Sequence, residues 1–402
     1  MDSLPSELLL HIFQFTEKHE RFRLRSINRR FCQLATSFAF DTDTLRLQLN
    51  SRARTQLLLK GIFIRDYIRD VEIAFPDDIG IAASGQRTKL KERMAFLDSV
   101  VASVAIFRTL PSFHSLTVSF PAAVFGEWLR STHSSKCINF VLQRAVLDTL
   151  RVSGPLTALR SLIIHDLIPA HHPTAFASFV SNNPYPHLTH LHLSTIKSSI
   201  LPAHELRWLE ITGFWQLTVL PFVRFCSATL TDLTLECADD VGAPVVCFAR
   251  LYIPHLARLS LTRILFDEET GTEAFILRHA STLTALKLPY CKIAFGAHET
   301  GPARTWADIY RSLGDGLPLL SETTPFVPMD WIWETALDFP GRFIKVPHST
   351  AYAQATPGAR CEWGTEFPGA IQHPREFSDD AAWNDLLRIV RARSSEQSAR
   401  GI

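Results

Sequence analysis

The sequence has few cysteines, and their placement does not match a metal site or a disulfide framework. Its seven cysteines are scattered along the chain, with no Cys-x-x-Cys pair. An odd number of cysteines without short spacings argues against both a zinc knuckle and a small disulfide-stapled fold. We therefore predict no metal and no cofactor, and a reducing environment for the chain.

Long apolar runs and an excess of one charge are also missing. The longest strongly apolar run, residues 100–107, is far short of the ~20 residues that cross a bilayer. With 41 basic and 40 acidic residues, the net charge is +1, which gives no overall field to attract nucleic acid or an anionic membrane. The first residues, Met-Asp-Ser-Leu-Pro-Ser-Glu, do not form a secretory signal. These features predict a cytoplasmic or nuclear protein with no nucleic-acid and no membrane partner.

Local catalytic motifs are absent as well. The sequence contains no G-x-S-x-G elbow, no phosphate-binding G-x-x-x-x-G-K-S/T loop, no G-x-G-x-x-G turn and no H-E-x-x-H helix. His187, His190 and His192 lie close together, but a zinc site needs a third or fourth ligand that no nearby residue supplies. We predict that the chain is not an enzyme. The alternative is an active site assembled from distant residues, which would require a deep pocket with convergent polar groups.

Two short amphipathic helices are predicted within the first 35 residues. In each, apolar residues recur every three or four positions, as on one face of a helix. Pro5 falls in the first turn of the first helix, where a missing N–H costs nothing. Because such short helices bury too little surface to be stable alone, we expect part of their apolar face to meet another chain or the following domain. The apolar positions are Leu8, Leu9, Ile12 and Phe15, then Leu24, Ile27, Phe31 and Leu34.

This segment resembles an F-box. The matching stretches are Leu4-Pro5-x-Glu7-Leu8-Leu9-x-x-Ile12-Phe13 and Leu24-Arg25-x-Ile27-Asn28-Arg29-Arg30-Phe31-x-x-Leu34-Ala35. The resemblance implies that residues 1–45 dock onto the Skp adaptor of an SCF-type cullin-RING ubiquitin ligase, while the rest of the chain captures a protein substrate. By this resemblance, the adaptor-binding residues are Leu4, Pro5, Leu8, Ile12, Leu24, Arg25, Ile27 and Phe31.

Two alternatives stay open for this segment. Ile12, Ile27 and Phe31 are equally compatible with a small helical core that contacts no partner. Thr16 and Arg21 stand where an F-box most often has leucine, which thins the apolar surface around the first loop. The second alternative is therefore an interaction scaffold that binds the Skp adaptor without a cullin, or no ligase at all.

The middle of the chain repeats a short pattern, Leu-x-x-Leu-x-Leu-x-x followed by an apolar residue. Its starts at residues 159, 188, 206, 230, 256 and 283 are 18 to 29 residues apart, and weaker units occur at 68–73 and 113–118. This spacing resembles leucine-rich repeats, which implies a curved solenoid of short strands over residues 46–295. The predicted fold class is therefore α/β, with a helical F-box, a leucine-rich-repeat-like solenoid and an irregular C-terminal cap. An ordinary α/β domain is the alternative.

Side chains that flank the inward leucines are expected to share one face of the strands, the surface that solenoids use for ligands. Along the repeats they change from histidines through an aromatic and acidic group to basic residues, which suits a bipolar protein segment. A solvated face without a dedicated ligand is the alternative, except at Trp208, because exposed aromatics are common interface anchors. The predicted substrate-binding residues are His190, His192, Trp208, Glu210, Asp232, Glu236, Arg258 and Lys287. His165, Thr234, Ser260 and Thr262 share the same predicted face.

Residues 296–402 are predicted to close the open end of the repeats. A short helix is expected over 306–320, an irregular packed segment over 321–378, and a last helix over 381–393 with a frayed end from 394 onward. The order of F-box, repeats and tail resembles that of F-box proteins of filamentous fungi.

Overall fold

The structure, a computed structural model, shows a mixed α/β chain with parallel strands. It divides into two compact units, Met1–Asp166 with Asn182–Leu188 and Leu167–Ser181 with Thr189–Ile402. The predicted boundaries at 45 and 295 remain predictions. The residues described are 4–40, 44–47, 68–75, 95, 98, 107, 110–120, 138–152, 156–169, 185–196, 212–242, 245–296, 304–323, 331–333, 343–345, 352–356, 359–361 and 376–400.

Three helices begin the first unit: α1 (Ser6–Phe15), α2 (Lys18–Leu24) and α3 (Arg29–Phe40). Asn28 caps α3, because its side-chain Oδ1 accepts the N–H of Phe31 at 2.8 Å. A small core joins the helices, with the rings of Phe13 and Phe31 edge to face at 5.4 Å. The buried residues of this core are Leu9, Phe13, Phe31 and Ala35, with Leu4, Leu24 and Leu34 packed against it.

The strands of the first unit are β1 (Thr44–Leu47), β2 (Asp70–Ala74), β3 (Ser115–Ser119) and β4 (Ser161–Leu167), with α4 (Ile138–Val152) between the last two. They pair in parallel and in chain order. In β2 and β3 buried residues alternate with partly exposed ones, the pattern of strands that cover a core with one face. The weak units predicted at 68–73 and 113–118 are therefore strands. The sequence also suggests a helix between these two units, over residues 89–110, and most of that range lies outside the described residues.

The second unit continues with parallel strands. Strands β5 to β8 pair in chain order, and β10 adds to β8. Strand β9 pairs in parallel with β7 and β13, while β13 with β14 and β11 with β12 are antiparallel. The strands are β5 (His190–Thr195), β6 (Asp232–Val241), β7 (Arg258–Phe266), β8 (Ala285–Lys287), β9 (Lys292–Gly296), β10 (Glu322–Thr323), β11 (Trp331–Trp333), β12 (Phe343–Lys345), β13 (Tyr352–Thr356) and β14 (Ala359–Cys361).

The helices of this unit precede or follow those strands. A π-helical turn (Trp215–Val219) leads into α5 (Leu220–Cys226), which precedes β6. Helix α6 (Thr272–Leu277) lies between β7 and β8, and α7 (Trp306–Gly316) follows β9. Helix α8 (Glu376–Arg400) ends the described chain. The core is built by alternate leucines of the strands, among them Leu191, Leu193, Leu233, Leu235, Leu259 and Leu261.

One hydrogen-bond arrangement recurs where the strands begin. A single backbone carbonyl accepts two consecutive N–H groups, those of the first strand residue of the neighbour and of the residue before it. The distances lie between 2.7 and 3.1 Å. Each strand start is thereby fixed against the next one. The accepting residues are Arg69 and His114 in the first unit, and Thr189, Thr231, Ala257 and Thr284 in the second.

Three details of the sequence-based prediction are wrong. His190 of β5 pairs directly with Asp232 of β6, and residue 214, the end of the repeat predicted from 206, is helical. That repeat therefore adds no strand between β5 and β6. The end expected to fray from 394 is helical as far as Arg400. The irregular segment expected over 321–378 contains the short strands β10 to β14.

Candidate protein-interaction surfaces

Helix α1 has two apolar faces. Leu9 and Phe13, four residues apart, are each 1% exposed and form one side of the helical core. Leu8, Ile12 and Phe15 also recur at helical spacing, yet they are 51%, 48% and 75% exposed. Because successive residues turn by 100°, these two sets point in different directions. The second set therefore leaves a large apolar surface in water, which marks interaction sites on soluble proteins.

The residues predicted to contact an adaptor fall into three classes of burial. Pro5, Leu8, Ile12 and Ile27 are exposed, and Ile27 is 59% so. Leu4, Leu24 and Arg25 are partly buried, and only Phe31 lies fully in the core, at 2%. Their role in binding stays a prediction. Phe15, the most exposed residue of the apolar face, was missing from that prediction although its helical spacing placed it there.

The two polar residues that depart from the F-box pattern bond to the end of α1. The Thr16 hydroxyl donates to the carbonyl of Phe13 at 2.9 Å. The Arg21 guanidinium donates to the carbonyls of Thr16 at 2.8 Å and Gln14 at 3.1 Å. The last carbonyls of a helix have no partner within it, and these side chains supply one. Thr16 and Arg21 therefore replace apolar packing with a polar cap of α1.

Two further arginines tie the helices together. Arg30 of α3 donates to the carbonyl of Leu4 at 2.6 Å and to the Ser6 hydroxyl at 3.2 Å, which holds the start of α1 against α3. Arg25 donates from Nε to the hydroxyl of Thr36 at 3.0 Å. These hydrogen bonds fix the start of α1 and the end of α2 against α3, and thereby fix the direction in which the exposed apolar residues of α1 point.

Residues 1–43 match the family model of the F-box domain. The chain carries an F-box. Helices α1 to α3 lie within the matched residues. As a class, F-box domains bind the Skp adaptor of SCF ubiquitin ligases. A comparison of the chain with curated proteins finds no match.

The second candidate surface is a polar face of strands β5 to β8. Asp232 lies at its centre, with Oδ2 3.1 Å from Nε2 of His190 and Oδ1 bonded to Nε of Arg258. Thr231 donates its hydroxyl to the same carboxylate at 2.7 Å. The hydrogen bond that Arg258 donates to Asp232, together with the charge of that carboxylate, raises the pKa of Arg258 above its usual value. The three ionisable residues sit opposite one another because their strands are in register at these positions.

Two more pairs of basic and acidic side chains lie across the strands of this face. His192 Nε2 lies 3.3 Å from Glu236 Oε2, and Lys287 Nζ lies 3.4 Å from Glu322 Oε1. Most of the basic and acidic side chains in the predicted bipolar order therefore lie next to an oppositely charged type of side chain of the same chain. Where both members are exposed, as in Lys287 and Glu322, such a pair contributes only about 0 to 1 kcal/mol to stability. Trp208 and Glu210, predicted on the same face, lie outside the described residues.

Among the described residues, no three His, Cys, Asp or Glu side chains are grouped so as to hold a metal ion. No helix in the described ranges has the length and apolar character to span a bilayer.

Proposed function

We propose that the chain is the substrate-recognition adaptor subunit of an SCF-type cullin-RING ubiquitin ligase. The exposed apolar face of α1, formed by Leu8, Ile12 and Phe15, carries this proposal. Four of the seven large apolar side chains found exposed in the described chain lie within the F-box, the fourth being Ile27. Apolar helix faces of this kind fill a groove on a partner, and a few anchors supply most of the binding energy. Phe31 supports the face from the core beneath it.

The role requires no catalysis by this chain. Holding a substrate near a ubiquitin-loaded partner raises the effective concentration of the two reactants. We therefore propose an adaptor rather than an enzyme, one that engages both the Skp adaptor and the cullin in the cytoplasm or nucleus. The alternative remains a scaffold that binds the Skp adaptor without a cullin.

We also propose that the parallel strands form leucine-rich-repeat-like units. Support comes from the backbone carbonyls that each accept two N–H groups at the strand starts, because this arrangement recurs from one strand to the next. Asp166, Arg263 and Tyr290 have positive φ values of 61°, 59° and 57°, and each lies seven residues after the first leucine of a predicted repeat. A left-handed backbone costs a non-glycine residue about 1 kcal/mol or more, so its recurrence favours a shared geometry. The polar face of β5 to β8 is then the proposed substrate surface.

The adaptor proposal is tested by a charge in the apolar face. Leu8→Asp should weaken binding of the full chain to the Skp adaptor by about 3 kcal/mol, or roughly a hundredfold in Kd, because an anchor is lost and a carboxylate is desolvated. Calorimetric titration measures the affinity. Gln14→Glu adds the same charge to another face of α1 and should bind like wild type.

Binding of the cullin is measured separately from binding of the Skp adaptor, in pull-downs with the full chain and with a chain that lacks residues 1–43. If adaptor and cullin both bind only the full chain, the ligase proposal holds; if the adaptor binds without the cullin, the scaffold replaces it. Unchanged adaptor affinity in a folded Leu8→Asp variant contradicts the docking surface itself.

A further inference from the structure

Three arginines occupy equivalent places before three neighbouring strands of the second unit. Arg224 and Arg250 lie eight residues before the first residues of β6 and β7, and Arg278 lies seven before β8. All three are exposed. Because β6, β7 and β8 are adjacent and in register, these positions follow one another along the edge where the strands begin. We call them the arginine row.

Direct contacts place two members of the row side by side. Arg278 Nη1 donates to the carbonyls of Ala249 at 2.6 Å and Leu251 at 3.1 Å, the residues on either side of Arg250. The guanidinium of Arg278 is thus held against the turn that carries Arg250. Such fixed guanidinium groups lose little entropy when they bind a further partner.

An exposed aromatic ring stands beside the row. Tyr252 is 52% exposed, and its ring stacks on that of His279 with centroids 5.7 Å apart and planes 18° apart. His279 is 1% exposed and follows Arg278 in the chain, so the tyrosine is supported by the core next to the arginines. Tyrosine and arginine are among the residue types most enriched at the energetic centres of protein interfaces.

The charge of the row is not neutralised by the described part of the chain. There, neither Arg224 nor Arg250 has a carboxylate within ion-pair distance, and Arg278 bonds to neutral carbonyls. Other exposed cations of this unit, such as Arg258 and Lys287, do have acidic partners. The position seven residues before β10 is Asp315, so the row ends with a carboxylate.

We propose that the arginine row binds an acidic protein segment, with Tyr252 packing against it. Guanidinium groups bind carboxylates through paired, charge-assisted hydrogen bonds. Nucleic acid fits less well, since its binding depends on many phosphate contacts and the chain has a net charge of only +1. The inference rests on the proposed function in one respect, the identification of the acidic segment as part of a ubiquitin-ligase substrate.

The test is a titration of the full chain with a fluorescein-labelled peptide in which glutamate alternates with serine, followed by fluorescence anisotropy. Arg250→Glu should weaken binding by about tenfold or more, because attraction becomes repulsion at the middle of the row. Arg388→Glu makes the same charge change on α8 and should leave the affinity within about twofold of wild type. Tyr252→Ala should weaken binding while Tyr252→Phe retains it.

Other outcomes overturn the inference. Equal losses in Arg250→Glu and Arg388→Glu would mean that overall charge, and not the row, attracts the peptide. Displacement of the peptide by a single-stranded oligonucleotide at lower concentration than by unlabelled peptide would identify a nucleic-acid surface. No peptide binding by a wild-type chain that still binds the Skp adaptor would reject the row and leave the proposed function standing. A far-ultraviolet circular dichroism spectrum and a melting temperature like those of wild type show that the Arg250→Glu variant is folded.

Discussion

His279 is a buried residue whose two ring nitrogens are both committed. Nδ1 lies 2.8 Å from the carbonyl of Phe275, and Nε2 lies 3.0 Å from the backbone nitrogen of Ile253. These partners require a proton on Nδ1 and a free lone pair on Nε2, which is the neutral ring. Burial lowers the pKa of His279, against the opposing effect of the bond to Phe275, and the nearby charge of Arg278 lowers it further. A second proton would sit on Nε2, where it would point at the N–H of Ile253 and leave that N–H without its acceptor.

This arrangement predicts a pH dependence of stability. Because the pKa of His279 is lower in the folded state, the unfolded chain binds more protons below about pH 6.5, and the free energy of unfolding falls as the pH falls. The contribution is complete above that pH. Urea denaturation at pH 5 and pH 7.5 measures it. In His279→Leu the loss between these two pH values should be smaller than in wild type.

The same substitution should cost stability at pH 7.5. It leaves the buried N–H of Ile253 without an acceptor, at a cost of about 1 to 3 kcal/mol. If the free energy of unfolding changes by the same amount between pH 7.5 and pH 5 in His279→Leu as in the wild type, His279 is not the group whose titration destabilises the fold.

At the scale of elements, α8 holds both ends of α7. Asp379 Oδ1 accepts the N–H of Ala307 at 2.7 Å, near the start of α7. Arg393 donates to the carbonyls of Leu317 at 2.8 Å and Gly314 at 2.9 Å, near its end. Each charge opposes the partial charge of the helix terminus that it contacts, and each satisfies a group with no partner inside the helix. Two helices far apart in the chain are thereby fixed in register.

Arg393→Ala should lower the free energy of unfolding by about 1 to 2 kcal/mol, because two carbonyls lose a charged donor. Arg391→Ala, an exposed site on the same helix, should have an effect below about 0.5 kcal/mol. Thermal denaturation followed by circular dichroism compares them. Equal effects would mean that helix propensity, rather than the contacts with α7, accounts for the loss.

Periodicity predicted several elements because their burial follows it. In the strands at 68–73 and 113–118 every position of the pattern is buried, whereas in the helices of the F-box only Leu9 and Phe31 of the eight predicted apolar positions are buried. The repeat expected from 206 adds no strand between β5 and β6, and its last position, residue 214, is helical; a short apolar pattern fits a helix as well as a strand.

Contacts between residues far apart in the chain could not be predicted from the periodicity of the sequence. Leu8 and Leu9 are chemically the same, yet one is exposed and the other buried, because only the position of α3 decides which face of α1 is covered. The pairing of Asp232 with both His190 and Arg258 depends on strand register, which the repeat pattern located only in part. The bonds of Asp379 and Arg393 to α7 have no counterpart in local sequence.

The whole molecule is nearly neutral at physiological pH. Its net charge is +1 with histidine neutral, and its pI is close to 7.7. A protein with so little net charge has weak repulsion between copies, and the exposed apolar face of α1 adds an attraction. Charge therefore gives the isolated chain little protection against self-association.

Light scattering against pH tests this consequence. Self-association of the purified chain should be greatest within about one pH unit of 7.7 and should decrease on either side. Leu8→Asp should reduce the scattering near that pH, whereas Gln14→Glu should reduce it less because the apolar face is intact. Scattering that is independent of pH would show that the apolar face dominates.

The hydrogen bonds at the strand starts also determine where the chain tolerates a change in length. Residues 196–231 connect β5 to β6, whereas residues 267–284 connect β7 to β8, yet both connections end at the same arrangement of one carbonyl and two N–H groups. An insertion inside a connection leaves that arrangement intact, while a single residue added just before Asp232 or Arg258 would move every side chain of the strand to the opposite face. Related chains should therefore differ by insertions and deletions within the connections and keep a constant length immediately before each strand.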